Sequence, residues 1–154
     1  MTDISHLKTE MQSVLDMWKS DTNWDKLHAD DTLTKIGQLH AKYLDILCIH
    51  KLAAQEVRRE YATHKKFKRE YFSGKLNEQK DILELHKLSP FQFVLKSDIE
   101  DYFNSDPQLQ LLETEIDLHQ QFVEACTYII KELTNRTYQV REYLQWQKFT
   151  QGGY

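Results

Sequence analysis

Eight cations crowd into residues 51–75: Lys51, Arg58, Arg59, Lys65, Lys66, Lys68, Arg69 and Lys75 stand against Glu56, Glu60 and Glu70, a segment charge of +5. Tyr61, Phe67, Tyr71 and Phe72 are interleaved with them. Cations neutralise phosphates and release their counterions, and aromatic faces stack on unpaired bases. The pairing therefore suits single-stranded nucleic acid bound with little sequence preference. The alternative is a solvated helix face, its charges offset by the three glutamates at helical spacing and its aromatics turned into a core. A membrane-surface helix fits less well, because no bulky apolar face lies opposite the lysines.

The rest of the chain has the opposite sign. Residues 1–50 carry −3 and residues 76–154 carry −6, so that 154 residues total −4. An acidic surround confines a polyanion to the basic strip and offers a surface to basic patches on protein partners.

Other chemistry is poorly represented. There is no Gly-rich phosphate loop, Gly-x-Ser-x-Gly, His-Glu-x-x-His or Cys-x-x-Cys, so neither an enzyme nor a cofactor is expected. The nearest metal-like pairing, Cys48-x-His50, cannot put both side chains on one helix face, and no metal site is assigned. His40, His50 and His119 fall at seam positions and are expected as hydrogen-bonded interior residues. Cys48 and Cys126 sit in apolar helical patterns and are expected as buried free thiols. Asp30-Asp31 reads as a helix start and Glu113-x-Glu115 as a solvated face. The Asn135-Arg136-Thr137 sequon lies mid-helix and is discounted.

The elements that must position the basic strip are helical. Four Gly and two Pro leave few turns and long elements. Leu7, Met11, Val14, Leu15 and Trp18 predict a first helix with Asp3 or Ser5 as its N-cap. A second runs from about Thr32 to Phe72, with Ile36, His40, Tyr43, Leu47, His50, Ala54, Val57, Tyr61, His64, Lys68 and Tyr71 on a heptad seam, and stops at Ser73-Gly74. His64 and Lys68 make the end of that seam polar, so this half is expected to leave the core. Residues 75–106 are broken, with short helices expected over 81–88 and from a Ser97–Glu100 capping box to Phe103. Asp106-Pro107 starts a long C-terminal helix that ends at Gly152-Gly153. Its seam of Leu109, Leu112, Ile116, His119, Val123, Cys126, Ile130, Leu133, Thr137, Val140 and Leu144 is flanked by Leu111, Leu118, Phe122 and Ile129. A helix apolar on two flanks needs two neighbours, and the second is most economically another copy of the chain.

The expected fold class is therefore all-α: two long helices plus short helices, assembling through the C-terminal helix into a ring-like homo-oligomer. Residues 1–154 are expected to form one helical domain, with a part over 1–75 that ends in the basic, candidate DNA-binding motif, a variable connection over 76–106 and an oligomerisation helix over 107–151. No stretch is apolar enough to span a membrane and the start lacks a signal-peptide pattern, so a cytosolic protein is expected.

Lys66-Phe67-Lys68-Arg69-Glu70-Tyr71-Phe72-Ser73-Gly74 resembles the basic, aromatic-aromatic, Ser-Gly motif of the UvsY family, the recombination mediators of T4-like bacteriophages. Val94–Asp98 and Phe122–Cys126 follow in the family's order. The resemblance implies a non-enzymatic, single-stranded DNA-binding protein that forms a ring of six or seven subunits. It also implies that the protein helps a RecA-like phage recombinase displace the phage single-strand-binding protein, in the cytoplasm of the infected bacterial host. The family's DNA-contacting residues fall on Lys66 and Lys68, where lysine at 68 replaces a familiar arginine and loses bidentate phosphate geometry. Phe67 and Arg69 also depart from the family pattern. Arg58, Arg59, Lys65, Arg69, Tyr71, Phe72 and Lys75 complete the candidate DNA site, and Leu112, Ile116, Val123, Ile130, Leu133 and Val140 the candidate assembly surface. The rival reading is a non-catalytic helical scaffold whose basic strip docks an acidic protein.

Overall fold

The computed structural model describes residues 4–91 and 94–152. Asp3 and Gly153, expected at the two helix ends, lie outside the described residues. Five α-helices follow one another: α1 (Ser5–Asp21), α2 (Ala29–Phe72), α3 (Lys80–Leu85), α4 (Ile99–Ser105) and α5 (Pro107–Thr150), with a 3-10 turn over Lys26–His28 and no strand among the described residues. No described helix is long and apolar enough to cross a membrane. The chain clusters into two compact units, one of residues 4–53 with 118–152 and the other of 54–117. Their boundaries therefore fall inside α2 and α5 rather than at the ends of the broken connection.

In the first unit Leu7 and Val14 of α1 and Tyr43 of α2 pack with Leu118, Phe122, Cys126, Ile129 and Leu133 of α5. The spacing of the α5 residues is three and four, one helical stripe. Tyr43 is fully buried and meets Trp18 edge-on with centroids 5.8 Å apart. Its hydroxyl donates to Asp21 Oδ2 at 2.8 Å, and Lys42 Nζ donates to the same oxygen at 2.7 Å. Burial alone would raise the Asp21 carboxyl, but these two bonds outweigh it and hold the group below the usual carboxylate range. His50 and His119 are interior, as the seam predicts, and their Nδ1 atoms lie 2.9 Å apart. Phe122 stacks flat on His50 at 3.7 Å, and Glu10 approaches His50 Nε2 at 3.2 Å. His40 is only half-buried.

Three expectations are corrected here. Cys48 is exposed, because it falls about 140° round α2 from Tyr43. Glu115 is buried rather than solvated, because it lies three residues before Leu118 and seven before Phe122, on the core stripe. Leu112, Leu133 and Val140, expected to meet another subunit, are covered within the chain. Only Ile116, Val123 and Ile130 of the candidate assembly row remain half-buried. On α5, Tyr128, Tyr138, Trp146 and Phe149 are exposed instead.

The second unit folds around the aromatics of the basic segment. Tyr71 and Phe72 of α2 join Leu76, Leu83, Phe103 and Leu109 in its core. The end of α2 is a Schellman stop: Lys75 N–H donates to Glu70 O and Gly74 N–H to Tyr71 O, with Gly74 at φ +78°. Any side chain at 74 would be strained in that left-handed conformation. The irregular chain beyond is tied back by side chains. Asn77 donates to Phe91 O at 2.8 Å and accepts from Phe91 N–H at 2.9 Å, and Tyr71 Oη donates to Ser89 O at 2.7 Å. α3 ends sooner than expected, and Lys87 just beyond it adopts φ +54°. The capping box before α4 does not form: Ser97 Oγ bonds Asp98 Oδ1, and the helix has no side-chain cap. Asp106 caps α5 as predicted, its Oδ1 accepting from Gln108 N–H at 3.1 Å and Leu109 N–H at 3.0 Å.

Candidate nucleic-acid interface

At 100° per residue, Arg58, Lys65 and Arg69 share one row of α2, and Arg59 and Lys66 form a second row beside it. The stretch from 58 to 69 is about 16 Å long at ~1.5 Å per residue. Arg58, Arg59, Lys66 and Arg69 are exposed and Lys65 half-buried. Aromatic rings hold two of these cations in place. Lys65 Nζ lies 5.1 Å from the centre of Phe103 and 5.7 Å from that of Tyr61, and the Arg69 guanidinium lies 5.5 Å from Phe103. Tyr61 is fixed in turn by donating to Glu113 at 2.9 Å. Lys75 is exposed just past the helix stop.

Three of the expected contacts stand elsewhere. Tyr71 and Phe72 are buried, so neither presents a face to a base; the core reading of the aromatics is the one the structure realises. The Phe72 ring is enclosed by Phe91 at 5.2 Å, Tyr102 at 5.4 Å and Phe103 at 6.0 Å. Lys68 points the opposite way from Lys66. Its Nζ is 3.0 Å from Asp106 Oδ2, with side-chain exposures of 15% and 6%. What remains is a strip of cations with the half-buried Tyr61 and Phe67 beside it. Sequence reasoning missed the contacts that Phe103, Glu113 and Asp106 make with the basic segment from 29 or more residues beyond the motif, where no local pattern signals them.

No other arrangement rivals this strip. In the first unit a cavity of about 570 Å³ is lined by Asp21, Trp24, Asp25, Lys35 and Arg136 among others, a mixture of signs that does not select phosphate. Among the described residues no group of three His, Cys, Asp or Glu is placed to hold a metal ion.

The family described as recombination, repair and ssDNA binding protein UvsY matches residues 17–153. The chain belongs to the UvsY family. Two crystal structures of the bacteriophage T4 recombination mediator protein UvsY, in lattice types I and II, share its fold with a TM-score of 0.76 at 13% identity. The alignments cover 90% of this chain and 98% and 96% of those chains. No curated protein sequence matches. The all-α fold is thus that of UvsY, and the family to which this chain belongs is one of recombination, repair and single-stranded DNA-binding proteins. The resemblance carried by residues 66–74 holds across most of the UvsY-like chain.

Proposed function

We propose that this UvsY-family protein binds single-stranded DNA along the cations of α2 and its end, chiefly the exposed Lys66 and Arg69 with Arg58, Arg59, the half-buried Lys65, and Lys75 just past the helix. In doing so it loads a RecA-like phage recombinase onto DNA coated by the phage single-strand-binding protein. It acts without turnover of its own, as a homo-oligomer of six or seven subunits in the cytoplasm of the infected host. The observation that carries this reading is the pair of exposed cation rows on α2, held over a core made by the same segment's aromatics.

One strip is a weak site. Each phosphate contact on a single strand contributes a slope of only about 0.7 in log K against log salt. A ring repeats the strip, and linked sites raise avidity by ~10² or more when one strand reaches several subunits. A strand held on such a ring is extended or kinked, which weakens a cooperative coat and presents the DNA to the recombinase. Assembly uses the strip of α5 bearing the half-buried Val123 and Ile130.

Fluorescence anisotropy of a labelled single-stranded oligonucleotide, titrated at several salt concentrations, tests the reading. Tight, salt-sensitive binding that prefers single to double strands and weakens in Lys66→Ala is expected. Absence of binding at low salt overturns it in favour of a scaffold whose basic strip docks an acidic protein.

A further inference from the structure

Lys68 occupies one of the two positions that the motif gives to DNA-contacting cations, yet its ammonium is already engaged. Nζ lies 3.0 Å from Asp106 Oδ2, and the two side chains are only 15% and 6% exposed. The Asp106 carboxylate is used on both sides: Oδ2 faces Lys68, while Oδ1 accepts the Gln108 and Leu109 N–H groups that open α5. A phosphate that captured Lys68 would leave the buried Asp106 carboxylate without its ammonium partner, held only by the two N–H groups on Oδ1, and would approach that negative charge at close range. Lys66, two residues away and exposed, meets neither obstacle.

We propose that Lys68 is a positioning residue and not a phosphate ligand. It clamps the last turns of α2 to the capped first turn of α5, and so fixes the direction in which Lys65, Lys66 and Arg69 present their charges. Lys65 and Arg69 both lie over Phe103, three residues before Asp106, so the clamp and the cation rows share one support. The DNA part of this inference rests on the function proposed above; the clamp itself does not.

The test uses the full chain with Lys68→Met, which keeps an apolar stem, Asp106→Asn, which keeps a capping acceptor, the double variant, Lys68→Arg and Lys66→Ala. In thermal melts, each clamp variant is expected to lower Tm by about 5–10 °C, with the double variant no worse than the more damaging single one. Lys68→Arg restores the parent value. In anisotropy well below Tm, Lys66→Ala lowers the salt slope by about 0.7, whereas Lys68→Met weakens Kd a few-fold with the slope unchanged, and Lys68→Arg rescues it. A Lys68→Met protein with parent Tm and a slope lowered by ~0.7 overturns the inference, as does tighter DNA binding by Asp106→Asn. Unchanged Kd in Lys68→Met removes the positioning role. If the parent itself shows no salt-dependent binding, the functional reading fails, and the clamp stands or falls on non-additive against additive melting shifts.

Discussion

Phe72 separates a stacking motif from a core motif in a single substitution. Its ring is 6% exposed and has aromatic neighbours at 5.2–6.0 Å in Phe91, Tyr102, Phe103 and Tyr71. Truncation of such a residue to alanine costs about 3–5 kcal/mol, which at ~2–4 °C per kcal/mol for a chain of this size lowers Tm by about 6–20 °C. Leucine keeps most of the volume, so Phe72→Leu should cost less than about 1.5 kcal/mol and shift Tm by about 3–6 °C. Because the ring presents no face to solvent, the folded Phe72→Leu protein should bind a single-stranded oligonucleotide with the parent Kd. A stacked ring would contribute about 1–3 kcal/mol per base, which is roughly a 5- to 150-fold change in Kd. Differential scanning fluorimetry and anisotropy on one preparation read both quantities. Parent-like melting combined with a tenfold or greater loss of DNA affinity would refute the core assignment.

The buried histidines give a pH dependence. Burial first, and then neighbouring His50, hold His119 below the ordinary histidine value of 6.5; His6 adds to the lowering and Glu10 opposes it. The unfolded chain therefore takes up that proton first, so this penalty is absent above pH 6.5 and grows as pH falls below it toward the folded pKa. The urea midpoint should decline between pH 6.5 and 5, less steeply in His119→Gln; a midpoint constant from pH 8 to 5 contradicts the reasoning. Exposed Cys48 should react with a thiol reagent at once, whereas Cys126, its thiol pushed up to about 11 by burial, should react only on unfolding, giving one fast thiol per native chain. Val123→Asp, at a half-buried position of α5 outside the core cluster, should dissociate the oligomer in sedimentation velocity and weaken DNA binding by ~10². Monomers that bind as tightly as the parent would sink the avidity argument.

The long helices were legible because their signals are local and repeated. The seam is buried at Ile36, Tyr43, His50, Ala54 and Val57 and half-buried at His40 and Leu47, and the Asp106 cap and Gly74 stop work as their residue types require. What the pattern could not show was which of two adjacent apolar stripes on α5 the chain would keep for itself. Leu118, Phe122 and Ile129 lie in the core, which draws Leu133 and Val140 inward and leaves Val123 and Ile130 at its margin. The same ambiguity governed the basic segment. Its composition suits phosphates and bases equally well, and only Ser89, Phe91 and Phe103, distant in sequence, decide that Tyr71 and Phe72 belong to a core. The Lys68–Asp106 pair was hidden for the same reason, since Asp106, the cap of α5, lies 38 residues further along the chain.

The burial of the aromatics makes the basic rows more useful. Lysines and arginines on a lone helix lose considerable side-chain entropy when they close on a phosphate, of order 1.5–2 kcal/mol each when fully fixed. Here the second unit spends its tightest packing under that face: Phe72 and Phe103 fill the core, Phe103 lies beneath both Lys65 and Arg69, and the Lys68–Asp106 pair holds the helix end that carries them. Two of the cations are thus restrained by rings, and on the function proposed above that restraint reduces the ordering a bound strand would impose. The connection over 75–106, the poorest in sequence signal, supplies Phe91, Tyr102 and Phe103 to the aromatic cluster round Phe72, while Leu85 and Leu95 are exposed. A motif that reads as a nucleic-acid signature in one dimension is, in three, both the charged surface and the floor that stiffens it.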